Sequence, residues 1–255
     1  EFAEIVSRQE RNGFAFDVDA ARKLHSELLG EKDSLLKELE SRFPAQVIKM
    51  KTPKYWEDPV TKERYRVKKD APSKVQKILV RGELKTKEIP FNPGSRDQIA
   101  NGLINKYGWK PTEFTGEGKP KVDESVLKEM EYEEAKLLIR YLTIVKRLGQ
   151  ISDGRNAWIR LEKEGRIHGR VNPCGAVTAR CTHARPNVAQ VPRVGALWGE
   201  ECRSLFTVPE GYVLLGVDAS GLELRCLAHY THPLDKGRYT NEILEGDIHT
   251  ANQEA

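Results

Sequence analysis

Cysteine is scarce in this chain, and long apolar runs are missing. Only four of the 255 residues are cysteines, Cys174, Cys181, Cys202 and Cys226, without a C-x-x-C spacing or a paired histidine motif. This excludes a zinc ribbon and favours reduced thiols. No apolar run reaches the roughly 18 residues that span a bilayer, and charges interrupt the N-terminus where a signal peptide would be apolar. We therefore expect a cytoplasmic chain without a membrane anchor.

A strong excess of either charge is also missing. The chain has 42 Lys and Arg residues against 38 Asp and Glu residues, and its pI is about 8.8. This balance permits a polyanionic partner without requiring one, so only local clusters of charge are informative. The length suffices for one large domain or two modest ones, and we find no internal repeat.

Two long amphipathic helices are predicted in the first 151 residues. The first covers 17–43, with Asp17 or Asp19 near its N-cap and one apolar face. That face consists of Leu24, Leu28, Leu35 and Leu39. An S-x-x-Q capping box, Ser95 with Gln98, predicts a short helix ahead of Ile99.

The second long helix is predicted over 133–151. Its inward side chains are Leu137, Leu138, Tyr141, Leu142, Val145 and Leu148. Its outer face carries Lys136, Arg140 and Arg147, with Lys146 beside them. The pattern therefore predicts a basic stripe along the outer face of this helix.

Between these helices, residues 45–88 form a polar segment in which basic residues outnumber acidic ones more than twofold. Tyr55, Trp56 and Tyr65 are interspersed among the charges. This composition predicts an inserted lobe or a mobile loop. It could clamp DNA directly by counterion release and stacking, or it could be a solvated loop with no such role.

After Asp153 the sequence predicts a sheet. The short runs HGRVN, RSLFTV and YVLLGVD are rich in β-forming residues, and Pro209-Glu210-Gly211 predicts a turn that joins the last two as a hairpin. We expect an α+β fold, with helices first and an antiparallel sheet after them.

Asp218 follows the last of these apolar runs, and a small-residue turn leads from it into a helix at Leu222. A carboxylate at a strand end can be presented rigidly to a metal ion, which two-metal phosphoryl transfer requires. The small turn would let the Ala219 carbonyl approach closely. The alternative is that Asp218 merely caps the helix.

DASGLELRCLAHY followed by GDIHT resembles motif A of the family A DNA polymerases in their T-seven-like phage form. The resemblance implies that Asp218 bridges two Mg²⁺ ions and that the Ala219 carbonyl is a metal ligand. It also implies that Glu223 lies beneath the incoming sugar and that His249 contacts the triphosphate.

The run VTARCTHARPNVAQVP resembles the primer-template motif of the same family. The resemblance implies that Arg180 reads the minor groove and that Asn187 and Gln190 contact template or primer. The family more often has Gly-Arg where this chain has Ala179-Arg180. The alternative for Arg180 is a surface salt bridge.

Earlier segments resemble the thumb of these polymerases. RQERNGFAFD matches the start of the thumb at Glu10, Gly13 and Asp17, where structural roles are expected, and FNPGSRDQI matches an element within the thumb. LTIVKRLGQ resembles the helix that contacts the duplex backbone, here through Lys146, Arg147 and Gln150. An ordinary solvated helix face is the alternative for Lys146 and Arg147.

The resemblance implies a thumb at 1–153, with the basic insertion at 45–88, and the N-terminal part of the palm at 154–255. The exonuclease, the fingers and the rest of the palm, with the second metal-binding aspartate, are expected to be absent, so the chain alone should not synthesise DNA. Phage relatives recruit host thioredoxin through a longer insertion, so we do not carry thioredoxin over.

Three functions stay open. The first is a DNA-directed DNA polymerase of phage replication in the host cytoplasm, with primer-template DNA and deoxynucleoside triphosphates as partners, alongside a primase-helicase and a single-stranded-DNA-binding protein. The second is a non-catalytic DNA-binding or split-subunit scaffold. The third is a phage-type RNA polymerase, against which Glu223 and the ARPNVAQVP run argue.

Overall fold

The computed structural model describes residues 1–66 and 78–246. The chain forms two compact units, Glu1–Val208 and Pro209–Ala255. The expected boundary between thumb and palm, at residues 153 and 154, lies inside the first unit, so compactness alone does not separate those two regions. His249 lies outside the described residues.

The described residues form helices and short strands, each type often in consecutive runs along the chain. The helices are α1 Phe2–Asn12, α2 Val18–Arg42, α3 Arg96–Tyr107, α4 Glu124–Lys128, α5 Glu133–Leu148, α6 Trp158–Leu161, α7 Gly199–Ser204, α8 Leu222–Asp235 and α9 Arg238–Glu245. A π-helical turn covers Gly149–Asp153, and a 3₁₀ turn covers Val188–Gln190. The strands are β1 Phe14–Phe16, β2 Gln46–Lys49, β3 Lys54–Glu57, β4 Arg64–Tyr65, β5 Ile78–Arg81, β6 Thr86–Ile89, β7 Glu162–Lys163, β8 Arg166–Ile167, β9 Arg170–Asn172, β10 Thr182–Ala184 and β11 Phe206–Thr207. All strand pairs are antiparallel, and the predicted α+β class is confirmed.

The predicted N-terminal helix is confirmed as α2. It begins at Asp17, whose carboxylate accepts a hydrogen bond from the Ala20 amide at 2.9 Å, and its four predicted leucines are buried against α5. Helix α3 begins after Ser95, whose hydroxyl accepts from the Gln98 amide. The Gln98 side chain accepts from the Asn92 amide instead of returning to Ser95, so only half of the predicted capping box forms.

Helix α5 ends three residues before the prediction, where the π-helical turn takes over. Two side-chain orientations were predicted wrongly. Val145 is 40% exposed, whereas Arg147, assigned to the outer basic face, is 6% exposed. The loop that contains Leu197 covers this side of the helix, and the Leu197 carbonyl accepts a hydrogen bond from Arg147 Nε.

The central sheet has the strand order β11-β1-β8-β7 and joins the start of the chain to residues 206–207. Phe16 of β1 and Phe206 of β11 pack edge to face against each other and against Trp158, with ring centroids 5.2–6.4 Å apart. Gly13, at φ 62°, closely approaches the Ile167 carbonyl, so a larger side chain would collide there. Such packing supports the expected structural role of Gly13.

The two other residues of the resemblance at the thumb start are also structural. The Glu10 carboxylate accepts from the Val171 amide at 2.5 Å, and Asp17 caps α2. Glu10 and Gly13 thus hold the end of the first helix against β9 and β8, while Asp17 starts the next helix.

The described part of the 45–88 segment, the predicted inserted lobe, has β structure. Strands β2 and β6 pair at its base, with Gln46 opposite Ile89. Beyond them β4, β3 and β5 form a three-stranded sheet, in which Trp56 lies opposite both Tyr65 and Leu79. These residues therefore form paired strands, and their assignment as an inserted lobe stays a prediction.

The predicted hairpin before Asp218 does not form. The Pro209 turn exists, with the Tyr212 amide donating to the Pro209 carbonyl at 3.1 Å. Residues 212–217 nevertheless form no strand, and Val213 and Leu215 are more than 80% exposed. A strand needs a partner for its backbone groups, and no strand in the described ranges pairs with this run.

Candidate nucleic-acid interface

A β-hairpin displays Arg180. Strands β9 and β10 pair from Thr182 opposite Asn172 to Ala184 opposite Arg170. The loop between them turns back on itself, since the Ala176 amide donates to the Arg180 carbonyl at 3.1 Å. Arg180 is exposed in this loop.

Ala179 precedes Arg180 in a left-handed conformation, with φ 59°. Its Cβ makes this region unfavourable by roughly 1–2 kcal/mol, whereas glycine adopts it readily. This accounts physically for the Gly-Arg pair expected from the family. The Ala179 amide donates to the Ala176 carbonyl at 3.0 Å, which holds the turn despite the strain.

Asn187 and Gln190 bracket the 3₁₀ turn that follows the hairpin. The Asn187 carboxamide oxygen accepts from the Ala189 amide at 3.1 Å and thereby starts the turn. The Gln190 side chain is exposed, while its backbone carbonyl accepts from Gln150 Nε2 at 3.0 Å. The turn is thus attached to the segment that follows α5.

Three of the predicted DNA contacts form one hydrogen-bonded chain. Arg147 Nη1 donates to the Gln150 side-chain oxygen at 3.1 Å, and Gln150 in turn donates to the Gln190 carbonyl. Arg147 also holds the Leu197 carbonyl at 3.2 Å. With its guanidinium buried, Arg147 lacks the outward position assumed for a phosphate contact, and the geometry suits it to positioning Gln150.

Lys146 remains on the exposed surface, as predicted. The positive charge at this end of α5 also acts on Glu124 in α4. The Glu124 carboxylate has a lowered pKa, first because Lys128 donates to it and further because Lys146 and Arg147 lie near. The end of α5 is therefore electropositive, as a surface that meets phosphate must be.

Sequence reasoning missed the groups that hold this surface together. Arg203 Nε donates to the Pro192 carbonyl at 2.8 Å, and Arg147 uses the Leu197 carbonyl. Both acceptors belong to the backbone, and every residue carries such a carbonyl. The sequence therefore holds no signal for these contacts.

Asp218 and Ala219 lie in the second unit, in an exposed segment that leads into α8. Gly221, at φ 61°, is the N-cap of α8, and no side chain caps this helix. The alternative in which Asp218 serves as the cap is therefore wrong. Glu223 is exposed in the first turn of α8.

The Asp218 carboxylate and the Ala219 carbonyl are hard oxygen donors of the kind that Mg²⁺ binds, so they fit part of a magnesium site. Within residues 1–66 and 78–246, no group of three or more His, Cys, Asp or Glu side chains could hold a metal ion. Among the same residues no helix is both long and apolar enough to cross a membrane.

Comparison with known proteins gives the family. The sequence profile of DNA polymerase family A matches residues 65–254, which is well over half of the chain. The chain belongs to DNA polymerase family A. This membership favours the DNA polymerase interpretation over the RNA polymerase one.

Two phage relatives match nearly the whole chain. The DNA-directed DNA polymerase of Enterobacteria phage T3 is 39% identical over 99% of this chain, and that of Escherichia phage T7 is 37% identical over 98%. The chain spans 42% and 41% of their lengths. Its resemblance to the T-seven-like form of family A is therefore confirmed over nearly the whole chain.

The fold also has a counterpart among solved structures. It resembles the POL domain of Pol1 from M. smegmatis in complex with DNA primer-template and dNTP. The TM-score is 0.58 at 19% identity, with 89% of this chain and 32% of that chain covered. At this identity the likeness supports the fold and nothing more specific.

Proposed function

We propose that this family A chain is the thumb and the N-terminal part of the palm of a DNA-directed DNA polymerase, which adds deoxynucleotides to a primer 3′ end during phage DNA replication. The observation that carries the proposal is the bond from Gln150 to the Gln190 carbonyl. It joins the helix expected to follow the duplex backbone to the segment expected to contact the primer end. A polymerase needs these two contacts at a fixed separation, because register on the duplex decides where the next nucleotide is added.

In this proposal the DNA contacts divide into two kinds. Lys146 and Gln150 hold the phosphate backbone without regard to sequence. Arg180 reads the minor groove, where N3 and O2 acceptors are common to every correct pair, and Asn187 and Gln190 contact the neighbouring template or primer. Arg147 contributes to this surface by positioning Gln150.

The proposed chemical roles lie in the second unit. Asp218 and the Ala219 carbonyl bind Mg²⁺, which when bound supplies positive charge for phosphoryl transfer. Glu223 lies beneath the incoming sugar and helps to exclude a 2′-hydroxyl. His249 donates to the triphosphate, to which an imidazole can hydrogen-bond without a permanent charge.

The 255-residue chain by itself is proposed not to extend a primer. The family resemblance implies one metal-binding carboxylate for this chain, Asp218, and two-metal catalysis uses a second. The second candidate function, a DNA-binding or split-subunit scaffold, rests on this same observation. The partners proposed are primer-template DNA, deoxynucleoside triphosphates, a primase-helicase and a single-stranded-DNA-binding protein, in the host cytoplasm; thioredoxin is not among the partners carried over.

The decisive experiment is Mg²⁺-dependent primer extension by the uninterrupted natural polypeptide that contains this chain. Asp218→Ala is compared with Glu210→Ala, a matched loss of one exposed carboxylate eight residues earlier. We expect extension by the natural protein and by Glu210→Ala, and none by Asp218→Ala. If the natural protein binds primer-template but never extends it, the scaffold function replaces the polymerase.

A further inference from the structure

The three-stranded sheet of the inserted lobe has two chemically different faces. Side chains alternate along a strand, so Lys54 and Trp56 of β3 share one face, and their cross-strand partners share it with them. Those partners are Arg81, Leu79 and Tyr65. We call these five residues, Lys54, Trp56, Tyr65, Leu79 and Arg81, the aromatic face.

The opposite face carries the acidic strand residue and the groups that neutralise it. Glu57 is 7% exposed and accepts from Arg64 Nε at 2.8 Å, while Lys62 Nζ lies 3.9 Å away. Tyr55 packs over Gly82, so closely that a Cβ there would lie 2.6 Å from its ring. The buried carboxylate of this face is therefore paired with cations of the same lobe.

The aromatic face has no carboxylate at any of its strand positions. Lys54, Leu79 and Arg81 are exposed, and Trp56 and Tyr65 are partly exposed. Glu63, just before β4, accepts a hydrogen bond from the Tyr65 hydroxyl. That contact fixes the orientation of the phenol ring. The cations Lys54 and Arg81 are paired with each other two residues further along the strands, away from Glu63.

We propose that the aromatic face binds single-stranded DNA, with bases stacked on Trp56 and Tyr65 and phosphates held by Lys54 and Arg81. Paired rings and cations on one sheet face provide the two contacts that sequence-tolerant single-strand binding uses. Duplex DNA does not suit this face, because its bases already stack on one another and present no free ring surface. The inference rests on the proposed function only in its choice of DNA as the nucleic acid.

The aromatic face would bind the unpaired template strand or the displaced strand while the enzyme is on its primer-template. Stacking contributes a contact that does not depend on charge, so a part of the binding should survive high salt. The cations contribute a salt-dependent part. Each phosphate contact should add about 0.7 to the steepness with which the logarithm of the binding constant falls with the logarithm of the salt concentration.

The test measures binding of the whole 255-residue chain to a fluorescent oligo-dT, without metal ions or nucleotides. Trp56→Ala should weaken binding about tenfold, as expected for loss of one stacked base, and Tyr65→Leu should act likewise while Tyr65→Phe does not. Lys54→Gln with Arg81→Gln should lower the salt slope by about 1.4. The matched control, Lys23→Gln with Lys37→Gln on the exposed side of α2, removes the same charge and should leave the slope unchanged.

Two results would overturn the proposal. One is equal binding by Trp56→Ala and the unaltered chain. The other is competition by polyphosphate as effective as that by oligo-dT, since polyphosphate offers charge without bases. Trp56→Ala could disturb the lobe, so the double variant Lys54→Gln with Arg81→Gln, at exposed positions, is an independent test. An unchanged salt slope in this variant would also contradict the proposal. No outcome depends on extension activity, so failure here leaves the polymerase proposal untouched.

Discussion

Glu134 offers the sharpest test of how the helices around the lobe are held together. It is 4% exposed in the first turn of α5, and its carboxylate accepts from Lys106 at 2.7 Å and from the Tyr107 hydroxyl, with Arg42 at 3.6 Å. Burial alone would raise its pKa, but these bonds outweigh burial and lower the pKa from 4.5 to about 2. One carboxylate thereby joins α2, α3 and α5.

The size of the stability change follows from the difference between the pKa values of Glu134 in the folded and unfolded states. A pKa that is lower in the folded protein means that the ionised form stabilises folding above the ordinary value of 4.5. A difference of roughly two units or somewhat more corresponds to about 3 kcal/mol. Glu134→Gln removes this charge in a buried site, and we expect it to lower the free energy of unfolding at pH 7 by about 2–3 kcal/mol, since Lys106 and Arg42 can partly recover hydration.

The assay is urea unfolding of the 255-residue chain at several pH values. The difference between the unaltered chain and Glu134→Gln should be complete above pH 4.5 and should vanish as pH falls to about 2. Glu133→Gln is the matched control. Glu133 pairs with Lys136 at 2.8 Å, but both side chains are 67% exposed, so this substitution should change stability little.

Tyr107 provides an independent readout. Its hydrogen bond to Glu134, with burial as a further cause, raises the pKa of Tyr107 to about 12. Glu134→Gln should lower that pKa toward 10, which ultraviolet titration of the phenol would detect. If Glu134→Gln and Glu133→Gln unfold at the same urea concentration and Tyr107 titrates unchanged, the reasoning about this buried carboxylate is refuted.

Three further predictions concern single residues. Ala179→Gly should raise the free energy of unfolding by about 0.5–1 kcal/mol, because glycine relieves the left-handed φ of 59°; thermal melting that shows no gain would contradict this. Arg147→Met should lower stability in urea by about 2 kcal/mol through its lost hydrogen bonds, whereas Lys146→Met should leave stability unchanged and lower the salt dependence of duplex binding; the opposite pattern would restore Arg147 as the phosphate contact. Burial raises the pKa of Cys202 to about 11, so mass spectrometry after iodoacetamide at pH 8 should find the exposed Cys174 alkylated and Cys202 intact until the chain unfolds.

Local patterns in the sequence were enough to predict much of the fold. The leucine spacing of 24–39 located α2, and Asp17 and Ser95 located two helix starts. These features succeed because a helix face and an N-cap depend on residues within one or two turns. Composition predicted either an inserted lobe or a mobile loop at 45–88, while the pairing of Trp56 with Tyr65 and Leu79 appeared only in the sheet.

For the candidate site, the sequence supplied the residues and the family, and the tertiary structure decided their relations. The motifs around Arg180 and Asp218 depend on residue order, which the sequence holds in full. The buried position of Arg147 depends on the Leu197 carbonyl, 50 residues away, and the missing strand at 212–217 depends on a partner that the described chain does not offer. Such outcomes are set by which backbone groups meet in space, and a sequence carries no local signal for a contact that any carbonyl can make.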